Sequence, residues 1–295
     1  MNRDAGAIPM PTDNTSELLS PKSPVDPGSA EFSTGPISKT QTQGCLILNA
    51  DDWGRNRETT DRISECILRG TVSSASAMVF MEDSERAAAV ARERRIDAGL
   101  HLNLTTAFSA AGYPASLGKR QQELAKYLGG RRLAQVVFHP GLVRSFEYVV
   151  SAQLEEYCRL FGARPRRIDG HHHMHLCANV LLANLLPAGT IVRRNFSFER
   201  GEKSLYNRLY RWIVDRRLAR RHLLTDFFFS LPPLEPPARL QKIFSLARQS
   251  AVEVETHPVN PEEYRFLTEG EIFRWTGDCP IAPGYLVRSD EMAAG

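Results

Sequence analysis

Short apolar runs alternate with longer amphipathic segments from residue 45 to residue 255, and this alternation limits the folds open to the chain. Runs of branched or apolar residues bounded by polar ones are typical of strands buried on both faces of a parallel sheet. The longer segments carry apolar residues at helical spacing. A repeat of this kind predicts an α/β fold in which crossover helices join parallel strands.

The repeat contains seven predicted strands and six predicted helices. We predict strands over 45–50, 73–80, 97–104, 167–169, 190–193, 224–229 and 251–255. We predict helices over 57–69, 84–95, 143–161, 178–186, 204–220 and 237–249. Because the units follow one another without interruption, they favour one (β/α) barrel over two domains. We expect this barrel to be an incomplete or distorted relative of the TIM type.

The first 43 residues differ from the rest in composition. They are rich in Pro, Ser, Thr, Gly and Asp and poor in large apolar residues, which favours a disordered tail ahead of a single domain over 44–295. The apolar run at 5–10 is shorter than the core of a secretory signal. No stretch of the sequence approaches the roughly 20 apolar residues that cross a bilayer. We therefore expect a cytoplasmic protein without a transmembrane segment.

The net charge and the cysteine content argue against several classes of protein. The 37 basic and 34 acidic residues give a net charge of +3, far from the basic excess of a dedicated nucleic-acid binder, so we expect no nucleic-acid partner. The arginines of the predicted helix 204–220 are interpreted as a solvated face. Five scattered cysteines without a C-x-x-C pair indicate neither a disulfide framework nor a thiolate zinc site. The sequence does not fix the oligomeric state, and a homodimer stays open.

Acidic and imidazole side chains stand at four of the predicted strand ends. Asp51 and Asp52 follow the first strand, His101 lies in the third, and His257 follows the last. The fourth strand leads into Asp-Gly-His-His-His-Met-His at 169–175. In β/α barrels the carboxyl ends of the strands form the rim where chemistry collects. We therefore expect these side chains to lie near one another.

This combination of residue types favours metal-assisted hydrolysis of an amide or ester. One carboxylate and two neutral imidazoles suit a catalytic divalent metal that keeps open positions. A second carboxylate and a further histidine suit the proton transfers of hydrolysis. A different metallohydrolase on the same fold and a non-catalytic protein that binds metal or sugar are the alternatives. Each residue also has a structural explanation on its own, since an Asp pair can cap a helix and a buried histidine can be a core residue.

Four separated motifs carry a family resemblance. They are Asn-Ala-Asp-Asp-Trp-Gly at 49–54, Gly-Thr-Val-Ser-Ser-Ala-Ser at 70–76, Gly-Leu-His-Leu-Asn-Leu-Thr at 99–105 and the histidine motif at 169–175. In this order, over 45–267, the sequence resembles the YdjC-like carbohydrate deacetylases, which include chito-oligosaccharide deacetylases and a branch associated with hopanoid biosynthesis. The resemblance implies a barrel of the glycoside hydrolase/deacetylase type. It also implies loss of an N-acetyl group from a small carbohydrate or a glycolipid, with a bound Mg or Zn ion.

The resemblance further implies roles for single residues. Asp52, His101 and His171 would be the metal ligands. Asp51 would be the general base, and His257 would protonate the leaving amine. Further candidates for contact with the substrate are Trp53, Arg193, Asp226 and His173. For Trp53 a buried position is the alternative, and Arg193 and Asp226 could instead orient the base. Which other histidines of 171–175 contact metal or substrate stays open.

Overall fold

The computed structural model describes residues 44–130, 133–198, 202–277 and 279–285. The predicted tail at 1–43 lies outside these residues, so the domain boundary at 44 stays a prediction. The described residues form seven parallel strands. They are β1 (Cys45–Trp53), β2 (Ser74–Ala77), β3 (Ala98–Leu102), β4 (Arg167–Gly170), β5 (Ile191–Val192), β6 (Phe227–Ser230) and β7 (Ala251–Thr256).

Helices follow the strands as the repeat predicts, with some additions. The described α-helices are α1 (Arg57–Leu68), α2 (Ser84–Arg94), α3 (Ala115–Gly130), α4 (Val143–Phe161), α5 (Ala178–Leu182), α6 (Leu205–Leu218), α7 (Pro237–Leu246), α8 (Pro261–Thr268) and α9 (Glu271–Thr276). The sequence did not predict α3, which lies in the long β3–α4 connection and buries Gln121 among its leucines. Because a polar residue interrupts its apolar stripe, the helical pattern of α3 is weak. The predicted helix 178–186 ends earlier, at Leu182.

The strand order is β5-β4-β3-β2-β1-β7-β6, and every neighbouring pair is parallel. The two edges of the sheet also approach each other, since Val192 N–H donates to the carbonyl of Leu223 and Ser197 N–H to that of Phe228. The predicted incomplete barrel is thus confirmed for the described residues. No helix in the described part of the chain is both long enough and apolar enough to cross a membrane.

The two faces of the sheet differ in polarity. In β7, Val252 and Val254 join an apolar cluster with helix residues such as Ile63 and Phe244. Residues on opposite faces of a strand alternate, so the intervening Glu253 and Glu255 project into the barrel. Their side chains are nevertheless buried. The apolar core therefore lies between sheet and helices, and the interior of the barrel is charged.

Candidate functional site

A bulge at the end of β1 brings two consecutive acids to the site. The register of β1 against β2 shifts between Ala50 and Trp53. Within this shift Asp52 adopts a left-handed backbone conformation with φ of 69°. In a regular strand, neighbouring side chains point to opposite faces, whereas a bulge re-aims one of them. Asp51 and Asp52 consequently both reach the buried site near the carboxyl ends of the strands.

Asp52 lies between two imidazoles. Its Oδ1 atom is 3.3 Å from Nε2 of His101 and 2.9 Å from Nδ1 of His171. All three side chains are buried, and each offers a ligand atom within 4.8 Å of the others. In the described part of the chain, Asp52 Oδ1 and His171 Nε2 are buried without a hydrogen-bond partner. A carboxylate and two imidazoles with unsatisfied buried atoms fit a divalent cation.

A second group of potential ligands, Asp51, His101 and Asp169, overlaps the first. The carboxylates of this second group already accept hydrogen bonds from arginine and serine side chains. Arg193 binds both oxygens of Asp51, and Arg167 and Ser76 donate to Oδ2 of Asp169. Asp52 also pairs with Arg55, but only through Oδ2, so Oδ1 stays available and the set formed by Asp52, His101 and His171 is the better candidate for a cation.

Asp169 orients His101. Nδ1 of His101 is 2.8 Å from Oδ1 of Asp169 in the adjacent strand. Because a carboxylate only accepts hydrogen bonds, Nδ1 donates and Nε2 is left facing Asp52. This is the arrangement in which a carboxylate fixes a metal-binding histidine. Burial acts to lower the pKa of His101, but Asp51, Asp169 and Asp52 outweigh it and raise the pKa to about 10.

Arg193 holds Asp51 in place. The guanidinium donates to Oδ2 at 2.6 Å and to Oδ1 at 2.8 Å, and Asn49 donates to Oδ1 at 2.8 Å. Burial acts to raise the pKa of Asp51, yet Arg193 and His101 lower it overall. Asp51 therefore remains a carboxylate at neutral pH, in a fixed orientation. This is the protonation state that a general base requires.

The same guanidinium contacts three more acids. Its distances are 2.6 Å to Glu253, 3.0 Å to Asp169 and 3.3 Å to Glu255. A buried arginine is stable only when its charge is compensated, and these carboxylates supply that compensation. Arg193 is 1% exposed and so has no surface to offer a sugar. Its position favours the alternative, that Arg193 orients Asp51, and the predicted contact with substrate stays a prediction.

The histidines of 171–175 have different surroundings. His172 and His173 adopt left-handed φ values of 53° and 58°, which are uncommon for residues other than glycine and cluster at functional sites. This turn sends His171 toward Asp52, while His175 is buried with Nε2 2.9 Å from the carbonyl oxygen of Arg193. Of the cluster, His171 belongs to the candidate metal set.

The remaining histidines of the cluster lie nearer the surface. His172 is exposed, with Nδ1 3.0 Å from the Thr105 hydroxyl. His173 is half-buried, 3.7 Å from a carboxylate oxygen of Glu255 and in ring contact with Phe196. Its partial exposure beside the buried acids suits contact with a substrate, which stays a prediction.

Two other predicted substrate contacts, Trp53 and Asp226, stay predictions, because their surroundings favour structural roles. Trp53 is fully buried, and its indole N–H donates to the carbonyl of Thr60. The bulge that re-aims Asp52 leaves Trp53 in the apolar cluster. Asp226 precedes β6, and its carboxylate accepts a hydrogen bond from the N–H of Ala251 at the amino end of β7. That is the opposite end of the strands from the candidate site.

His257 directly follows β7. The register pairs Thr256 with Ala50, which places His257 level with Asp51 on the neighbouring strand. Its backbone N–H donates to the carboxylate of Glu263, 2.9 Å away. The imidazole is half-buried at this end of the sheet. Its role as an acid stays a prediction.

Sequence reasoning missed the residues that support the site. Asp169 stood in the histidine motif without an assigned role, and Glu253 and Glu255 were passed over in the last strand. Acids at alternate positions of an otherwise apolar strand were the available signal, because such a strand buries both faces. Pairing with Arg193 explains why they are tolerated there.

Comparisons with known proteins identify relatives of this chain. A family model described as YdjC-like protein matches residues 45–275. The chain is 34% identical over 132 residues to the chitooligosaccharide deacetylase of Proteus mirabilis (strain HI4320), covering 44% of this chain and 50% of that protein. It is 30% identical over 164 residues to the carbohydrate deacetylase of Mus musculus, covering 53% of this chain and 51% of that protein. The chain thus spans about half the length of the curated relatives it matches.

The fold also has a counterpart among solved structures. A crystal structure from Enterococcus faecalis V583, of a protein to which cellobiose-phosphate cleavage is ascribed, matches with a TM-score of 0.57. The match covers 82% of this chain and 97% of that chain at 18% sequence identity. At this identity the likeness supports the fold alone.

Proposed function

Because the chain belongs to the YdjC-like family, we propose that it is a metal-dependent deacetylase. The substrate is an N-acetylated amino sugar, carried on an oligosaccharide or a lipid, and the names of the relatives support this class. The observation that carries the proposal is the buried Asp52–His101–His171 group next to the Asp51 carboxylate. A cation site beside a fixed base is what amide hydrolysis by water requires.

Asp52, His101 and His171 would hold the divalent cation, which we infer to be zinc or magnesium. Two imidazoles in the donor set favour zinc, since magnesium prefers oxygen ligands. When bound, the cation would polarise the acetamide carbonyl and make water more acidic. Asp169 accepts the hydrogen bond from Nδ1 of His101 and so keeps Nε2 directed toward Asp52, where it would serve as a ligand.

Asp51 and His257 move the protons. Asp51 accepts the proton that water loses as its oxygen attacks the carbonyl carbon, and Arg193 fixes the plane of the accepting carboxylate. His257 donates a proton to the amine nitrogen as the carbon–nitrogen bond breaks. The products are acetate and the free amino sugar. Half-buried His173 is placed to contact the sugar beside this reaction.

An acetate-release assay tests the proposal. The purified chain is incubated with N-acetylated chito-oligosaccharides, an N-acetylglucosaminyl lipid and simple esters, each with and without a chelator. Acetate released from the N-acetyl substrates, lost with chelator and restored by zinc or magnesium, is expected. Release from esters alone would identify another metallohydrolase. Binding of the sugars without turnover at any metal concentration would identify a non-catalytic protein.

A further inference from the structure

Helix α6 turns an apolar stripe toward solvent. Four of its large apolar side chains other than tyrosine are at least half exposed, namely Leu205 (77%), Leu209 (55%), Trp212 (55%) and Ile213 (52%), and Tyr206 beside them is 86% exposed. Their spacing puts them on one side of the helix, opposite the buried Val214 and Leu218. Apolar side chains gathered on an exposed helix face mark an interaction surface.

The same face is cationic. Exposed Arg208 and Arg216 of α6 accompany the stripe, and exposed Arg220 and Arg221 follow the carboxyl end of the helix. The guanidinium of Arg216 lies 5.2 Å from the ring centre of Trp212. Within α6 the acid is Asp215, whose carboxylate accepts hydrogen bonds from the side chains of Arg194 and Asn195. The outward face of the helix therefore combines apolar and positively charged groups.

Ring contacts connect the inward side of α6, opposite the apolar stripe, to residues beside the candidate site. The ring centre of Phe196 lies 4.7 Å from that of His173 and 6.3 Å from that of Phe198. Arg211 of α6 stacks over Phe198 at 4.8 Å. Since α6 follows the loop that leaves the carboxyl end of β5, its amino end lies on the same side of the barrel as the site. Half-buried Arg211 thus links the inner side of α6, through Phe198 and Phe196, to His173.

We propose that α6 docks the protein on an anionic lipid bilayer. An interfacial helix inserts aromatic and aliphatic side chains at the boundary between headgroups and acyl chains, and its arginines contact lipid phosphates. A second copy of the same face would bring the arginines against each other. A nucleic acid would pair with the arginines but leave the four apolar side chains in water. The inference depends on α6 and holds whether or not the proposed hydrolysis is correct.

Vesicle sedimentation with the full chain tests the docking. Vesicles of phosphatidylcholine and phosphatidylglycerol in equal parts are compared with vesicles of phosphatidylcholine. Wild-type protein is expected to sediment with the anionic vesicles and to be released by salt. The double variant Leu209→Glu/Trp212→Glu is expected to bind at least roughly tenfold more weakly, because two apolar side chains no longer leave water. The matched control Leu68→Glu/Phe273→Glu, which changes exposed apolar residues of α1 and α9, should bind as wild type does.

Fluorescence reports whether α6 itself enters the lipid. Brominated lipids should quench the emission of the wild-type protein, and Trp212→Phe should lose this quenching while still sedimenting. Equal binding by wild type and the α6 double variant, or no binding by wild type, would overturn the proposal. A wild-type protein that is dimeric, together with an α6 double variant that is monomeric, would also overturn the proposal, because the face would then bind a second copy of the chain. Binding to polyglutamate but not to vesicles would assign it to an acidic protein.

Discussion

The guanidinium of Arg193, which follows β5, binds both carboxylate oxygens of Asp51, which lies 142 residues earlier in β1. The two hydrogen bonds, of 2.6 and 2.8 Å, fix the plane of a carboxylate that neighbours the candidate metal ligands. A charged group held in this way keeps its orientation while it exchanges a proton. Arg193 therefore has two contacts that matter: it pairs with the buried acids of the barrel interior, and it orients Asp51, the proposed base.

Arg193→Lys should show whether Arg193 acts by orienting Asp51 or only by supplying a positive charge. Lysine keeps the positive charge but cannot bind both oxygens of Asp51 in a planar fork. We expect kcat for acetate release to fall roughly 100-fold with KM little changed. Arg193→Met should also lower the free energy of unfolding by about 3–5 kcal/mol, because it leaves the facing acids without compensation. Kinetics and urea denaturation measure the two effects, and full kcat in Arg193→Lys would remove the positioning role.

Asp51→Asn should leave metal binding intact and stop turnover. The amide has nearly the shape of the carboxylate but does not accept a proton at neutral pH. We expect kcat to fall by about 10²–10⁴ while the metal content stays at the wild-type level. Asp52→Asn is the matched control and should lose metal and activity together. Elemental analysis and acetate release are the measurements, and an active Asp51→Asn enzyme would show that the base is another residue.

Asp169→Asn should weaken the cation site through His101. The substitution replaces the carboxylate that accepts the hydrogen bond from Nδ1 of His101. Loss of such an orienting partner lowers metal affinity by about 10- to 100-fold. The control Thr105→Ala removes the contact with His172 and should leave the affinity unchanged. Competition with a chromophoric chelator gives both values, and equal affinities for Asp169→Asn and wild type would refute the orienting role.

His175 should make the fold sensitive to mild acid. Burial lowers the pKa of His175 from 6.5 to about 4 in the folded protein. The unfolded chain therefore binds this proton at higher pH than the folded chain does. The contribution that the neutral His175 imidazole makes to the free energy of unfolding is present above pH 6.5 and is lost as the pH falls to about 4. Urea denaturation at several pH values should show a smaller loss over this range for His175→Gln than for wild type, and parallel curves would contradict the assignment.

The strand–helix repeat was predictable because short segments of mainly apolar or small residues alternate with longer amphipathic ones. The exact ends of the strands were less predictable. The first strand was expected to end at Ala50, where the acids begin, but the bulge carries β1 on to Trp53. The predicted strand 224–229 included Asp226, whereas β6 begins at Phe227. That shift places Asp226 at the amino end of its strand, away from the end where the candidate site lies.

The position of a candidate site residue was predictable where it depends only on the strand that carries the residue. Asp52, His101 and His171 follow β1, β3 and β4 or lie in them, and parallel strands bring their carboxyl ends to one rim. The role of these residues as ligands stays a prediction. The partners of Arg193 depend on which side chains of β1, β4 and β7 face one another across the barrel. Local sequence patterns carry no information on such contacts.

Anomalous scattering from crystals soaked with zinc shows whether Asp52, His101 and His171 hold a metal ion. We expect a single peak about 2.0–2.2 Å from a carboxylate oxygen of Asp52, Nε2 of His101 and a ring nitrogen of His171. Asp51 should remain bound to Arg193 beside that peak. A peak held by Asp51 and Asp169 instead, or no peak at the Asp52–His101–His171 group, would rule out this metal site.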